Sequence, residues 1–79
     1  MTKLNKTQER IISELEIGTE SEVVTNPYSG VSCLLEPKAV ALYDFIKGCE
    51  LLGTSQKDFD QARYAFMELW PDEYMKLLD

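Results

Sequence analysis

The chain has no histidine. That removes the side chain most often used as a general base and as a metal-binding imidazole near neutral pH. Cysteine is nearly absent too: Cys33 and Cys49 are the only two, and they lie too far apart in sequence for zinc-type ligand spacing. The four glycines, Gly18, Gly30, Gly48 and Gly53, are isolated from one another, so no glycine-rich phosphate cradle is present. No stretch approaches the run of about 20 apolar residues that a membrane-spanning helix needs. Cations are scarce and scattered: eight Lys and Arg stand against fourteen Asp and Glu, for a net charge of −6. Phosphate neutralisation dominates nucleic-acid affinity, so no direct nucleic-acid binding is expected, and a protein with a basic surface is the better partner. The opening residues, Met1 to Lys6, lack the apolar stretch of a secretion signal, which points to a cytosolic chain with reduced thiols.

What is present suits a single domain spanning 1–79. Hydrophobic residues make up 44% of the chain, too many for a disordered segment even with 28% charged residues. A chain this short buries only a modest core, so part of the apolar surface is expected to serve self-association, with a dimer favoured. The predicted fold class is mainly α, a small bundle of three to four helices. Segment 1–18 reads as an N-terminal amphipathic helix: Leu4, Ile11, Ile12 and Leu15 share one face, and Gly18 serves as its stop. Segment 19–36 holds two β-prone runs, Glu22–Thr25 and Val31–Leu35, separated by a turn. It is either a short hairpin at about 22–35 or an anchored irregular loop.

Segment 37–79 is expected to be the helical core. Pro37 opens its clearest helix and Gly53 closes it, the usual asymmetry of helix ends. Apolar residues cover most of that helix and leave a narrow polar strip at Asp44, Lys47 and Glu50, so it is expected to be central or covered by a second subunit. Gly48, costly in mid-helix, suggests close approach of another backbone. Ser55 with Asp58 resembles a capping box opening a third helix, whose apolar face carries Phe59, Ala62, Phe66 and Leu69. Trp70-Pro71 interrupts it, and a short last helix follows.

The chemistry-bearing residues are few. Glu14, Glu16, Glu20 and Glu22 form an acidic run without the Asx and glycine pattern of a calcium loop, so no metal is expected there. Cys49 falls on an apolar helix face, and nothing in the sequence near Cys33 would lower its pKa. With no base-activated nucleophile, neither an enzyme nor a cofactor is expected. The candidate binding residues are Asn26, Pro27, Tyr28, Ser29 and Gly30, joined by Glu20 and Glu22 of the acidic run. Pro27 fixes its φ, Asn26 can hydrogen-bond the backbone ahead of it, and Gly30 can take positive φ. Those choices specify a shaped turn presenting Tyr28, whose ring is either a contact residue or a cap on the core.

The turn Asn26–Gly30, the stretch Pro37-Lys38-Ala39-Val40-Ala41-Leu42-Tyr43-Asp44-Phe45-Ile46-Lys47-Gly48, and Pro71-Asp72-Glu73-Tyr74 with Leu77-Leu78-Asp79 together resemble a group of small tailed-phage proteins. The resemblance covers about the C-terminal two-thirds of the chain. It implies phage origin and action in the cytoplasm of a bacterial host, and it supplies no catalytic residues. The expected function is non-enzymatic binding, by which an acidic surface inhibits a host defence or nucleic-acid-handling protein. Two alternatives stand beside it. One is a protein sequestering a small nucleotide signal at a subunit interface, with Lys38 or Arg63 as the basic residue. The other is an accessory in assembly of the phage particle.

Overall fold

The computed structural model describes residues 4–53 and 55–78. Met1 to Lys3, Thr54 and Asp79, which belong to the expected 1–18 and 37–79 segments, lie outside the described residues. Among the described residues, four helices and one two-stranded sheet follow in the order α1 (Lys6–Ser13), β1 (Glu22–Thr25), β2 (Ser32–Leu35), α2 (Pro37–Leu52), α3 (Gln56–Leu69) and α4 (Pro71–Leu77). The mainly α class holds, and segment 19–36 contains the hairpin.

Helix α1 starts at a reciprocal cap. Asn5 Oδ1 accepts from the Gln8 amide at 2.8 Å, and Gln8 Oε1 accepts from the Asn5 amide at 3.0 Å. Its far end differs from expectation. The helix stops at Ser13, and Gly18 does not cap it. The Glu14 amide is shared between the Arg10 and Ile11 carbonyls, both at 3.2 Å, and the Leu15 amide bonds to Ile12 at 3.2 Å. These tightened bonds use up the last carbonyls and end the helix early. Leu15 still packs on the core, while Ile17 is exposed.

The hairpin pairs Glu22 with Leu35, Val23 with Leu34, Val24 with Cys33 and Thr25 with Ser32. Period-2 alternation puts Val24, Cys33 and Leu35 on the inner face and Val23 and Leu34 on the outer face. A lone hairpin is marginal in water. Here β2 rests on α4 and α2, and Leu35 is fully buried.

Helix α2 runs between Pro37 and Gly53 as its punctuation predicts, with Gly53 at φ 63° closing it. It supplies Ala39, Val40, Leu42, Tyr43, Ile46 and Cys49 to the interior. It shares the centre of the fold with α3. Helix α3 packs against α1, α2 and α4 alike. The reason lies in side-chain size: Ala62 and Ala65 are fully buried and let neighbouring helices approach closely, while Phe66 fills the space between them. Phe66 stacks obliquely on Trp70 at 5.3 Å between ring centroids and on Tyr43 at 6.5 Å, distances favourable for tilted aromatic pairs. Among the described residues no backbone approaches Gly48, since an added Cβ there would meet nothing within 4 Å. Among the described residues, no helix is long and apolar enough to cross a membrane.

Candidate functional site

The turn between β1 and β2 is organised by one side chain. Asn26 Oδ1 accepts from the Tyr28 amide at 2.8 Å and from the Ser29 amide at 3.3 Å. Its Nδ2 donates to the Lys76 carbonyl at 2.9 Å. The Asn26 backbone closes the loop from both sides. Its amide donates to the Val31 carbonyl at 2.8 Å, and its carbonyl accepts from the Gly30 amide at 2.9 Å. Gly30 makes that return possible at φ 78°, a conformation that suits glycine. Ser29 Oγ accepts from the Val31 amide at 3.2 Å, and the Thr25 and Ser32 hydroxyls pair at 2.7 Å at the base of the turn.

The Lys76 carbonyl is one of the C-terminal carbonyls that a helix leaves without an intrahelical partner. Asn26 therefore does two jobs: it shapes the turn and caps α4. The amide orientation follows from the network. A flipped carboxamide would set its oxygen against the Lys76 oxygen and its NH₂ against the Tyr28 amide.

This arrangement separates burial from exposure over two residues. Asn26 is 6% exposed and Tyr28 is 93% exposed. Of the two readings of Tyr28, the core cap is thereby removed: the ring stands in solvent on a pinned backbone. Pro27, Ser29 and Gly30 surround it on the surface. Glu20 and Glu22 lie elsewhere. Glu22 pairs with Leu35 at the open end of the hairpin, three strand positions from Thr25, roughly 10 Å along the strand at 3.3–3.4 Å per residue. Both are exposed, and neither borders the turn.

Beside Tyr28 the surface dips into an open pocket of about 280 Å³, lined by Asn26, Tyr28, Ile46, Lys47, Glu50, Phe59, Arg63, Leu77 and Leu78. Four elements meet there: the turn, α2 along its polar strip, α3 at Phe59 and Arg63, and the end of α4. Arg63 and Lys47 are the cations in it. For Arg63 the contacts are polar and aromatic. Its Nη2 donates to the Tyr74 hydroxyl at 2.9 Å, and its guanidinium lies 5.5 Å from the Phe59 ring centroid. Lys47 Nζ sits 3.2 Å from Glu50 Oε2 and 5.6 Å from the Tyr43 ring centroid. That ion pair is partly exposed and contributes little by itself.

Of the two basic residues proposed for a ligand pocket, Arg63 lines it and Lys38 does not. Lys47, Glu50 and Phe59 were not among the sequence candidates. The narrow polar strip of α2 was the signal for the first two. Cys33, on the inner face of β2, has its pKa raised, first by burial and then by the Glu73 carboxylate, while Lys76 acts the other way. Both raising causes disfavour the thiolate, the reactive form of the side chain. No protein-family model matches the chain, and no curated protein and no solved structure is significantly similar to it.

The Asn26 network generates a stability prediction. Asn26→Ala leaves the Lys76 carbonyl and two turn amides without their partner, at a cost of about 2–3 kcal/mol. For a domain of this size the melting temperature should fall on the order of 10–20 °C. Ser29→Ala, which removes one bond in solvent, should move it by only a few degrees. A melting curve for Asn26→Ala that overlays the parent curve would show that the turn is held by something else.

Proposed function

We propose that this chain is a non-enzymatic binding protein, encoded by a phage and acting in the host cytoplasm, that inhibits a host defence or nucleic-acid-handling protein. In this reading Tyr28 inserts into the target, and the acidic surface complements a basic one. The observation that carries it is the fully exposed tyrosine on a backbone pinned by Asn26. A rigid loop presents an aromatic ring at little conformational cost, and tyrosine is a favoured interface anchor. A connector would not need three hydrogen bonds from one buried side chain. The net charge of −6 supports a basic target through steering and complementarity. The phage assignment rests on the sequence resemblance alone.

The test compares parent and Tyr28→Ala as immobilised baits in bacterial lysate, with melting temperature measured alongside. The variant should keep its melting temperature within a few degrees, because the residue is 93% exposed. It should lose affinity for the parent's target by about 30-fold or more, the loss of a hot-spot residue at 2 kcal/mol or above. A target retained at parental affinity by the folded variant would remove Tyr28 from the interface.

Self-association belongs to the same proposal. At the end of α2, Leu51 and Leu52 are exposed, and Phe45, Gly48, Cys49 and Leu52 line a shallow apolar depression of about 190 Å³. The open space over Gly48 leaves room for a neighbouring helix. Sedimentation equilibrium should give twice the chain mass of 9.1 kDa at micromolar concentration, and Leu52→Glu should return it to 9.1 kDa. A mass of 9.1 kDa for the parent at every concentration would eliminate the dimer.

A further inference from the structure

The pocket beside Tyr28 differs in charge from the rest of the molecule. Its lining side chains carry two cations, Lys47 and Arg63, and one carboxylate, Glu50, within a chain of net charge −6. Among the described residues, Arg63 has no carboxylate within 4.0 Å, and the Tyr74 hydroxyl is its one hydrogen-bond partner. The Phe59 ring face and that hydroxyl fix the plane of the guanidinium and leave most of its donors unused. A held guanidinium fork with spare donors matches the geometry of a phosphate or carboxylate.

The room beside it is more than an ion needs. A second cleft of about 300 Å³, lined by Pro27, Tyr28, Lys47, Glu50 and Leu51, adjoins the first. The two share Tyr28, Lys47 and Glu50. A ligand anchored at Arg63 can therefore extend past Lys47 and Glu50 to the Tyr28 ring. That ring is exposed and held on a fixed loop, as a stacking platform should be. Asn26 offers nothing further, because its carboxamide is already bonded to the turn and to α4.

We propose that this double cleft is a small-molecule site for a mononucleotide. The phosphate pairs with Arg63 and Lys47, Glu50 accepts from ribose hydroxyls or base N–H groups, and the base lies on Tyr28. The site sits within one chain, without a subunit interface, and does not depend on the protein-docking reading above. It is measured on the isolated protein with no other macromolecule present.

The probe is AMP, titrated to millimolar concentration into ¹⁵N-labelled protein, with adenosine and inorganic phosphate titrated in parallel. AMP should give saturable shifts at the Arg63 side-chain Nε–H and at the amides of Tyr28, Lys47 and Glu50. It should bind more tightly than adenosine or phosphate, since each carries only part of the recognised chemistry. Arg63→Gln should weaken AMP by at least about tenfold while leaving adenosine unchanged. Tyr74→Phe, which keeps the charge and removes the hydroxyl that aims it, should weaken AMP by a smaller factor and serves if Arg63→Gln does not fold. Absence of saturable shifts with AMP in the parent protein overturns the proposal. Equal binding of AMP and adenosine, or parental AMP affinity in folded Arg63→Gln, overturns it as well.

Discussion

The carboxamide of Asn26 joins two parts of the chain that are fifty residues apart in sequence. On one side it accepts from the turn amides, and on the other it donates to the end of α4. The hairpin has two strands of four residues, too little to hold itself. Packing of Leu35 and Cys33 anchors the strands, but packing is not directional enough to set the turn. The hydrogen bonds do that, in a buried setting where an unmade bond is expensive and the alternative geometries are correspondingly disfavoured. Tyr28, the α4 terminus and the wall of the pocket all take their positions from this contact.

The rest of the molecule provides the ground on which that contact acts. Ala62 and Ala65 bring the helices together around α3, and Phe66 with Trp70 and Tyr43 fills the gap. This close packing puts Phe59 and Arg63, one turn apart on α3, opposite Lys47 and Glu50 on α2. The pocket is thus a consequence of helix packing on one side and of the pinned turn on the other. Of the exposed apolar residues, Tyr28 borders the pocket, while Val23 and Leu34 lie on the outer hairpin face and Leu51 and Leu52 at the end of α2.

Much of the fold was readable from punctuation. Pro37 and Gly53 bracket α2, Ser55 caps α3 by accepting from the Asp58 amide, and Trp70-Pro71 divides α3 from α4. Gly18 misled, because a tightened last turn ended α1 first, and a glycine is only one way of ending a helix. Apolar length marked α2 as an interior element, which it is, but it did not reveal that α3, through two small alanines, would meet three other helices. In the candidate site, Asn26, Pro27 and Gly30 announced a shaped turn through their backbone preferences. The partner of Asn26 was not readable, being a backbone carbonyl that any residue supplies. Lys47 and Glu50 already adjoin each other along α2, but they meet Arg63 and the turn only through tertiary packing. Glu20 and Glu22 are close to the turn in sequence and far from it in space, because a strand intervenes.

The central claim is that the turn is rigid although its tyrosine is exposed, and amide hydrogen exchange tests this directly. The Tyr28 and Ser29 amides donate to Asn26 Oδ1, and the Gly30 amide donates to the Asn26 carbonyl. In native-state exchange followed by NMR, the account predicts that the Tyr28 and Gly30 amides are protected to a degree comparable with the flanking strand amides. Exchange there should proceed by the opening of the whole hairpin and not by local fraying. Exchange of both amides at unstructured-chain rates, with the strands still protected, would contradict the account: the turn would then be a loose connector, and Tyr28 a surface residue like any other.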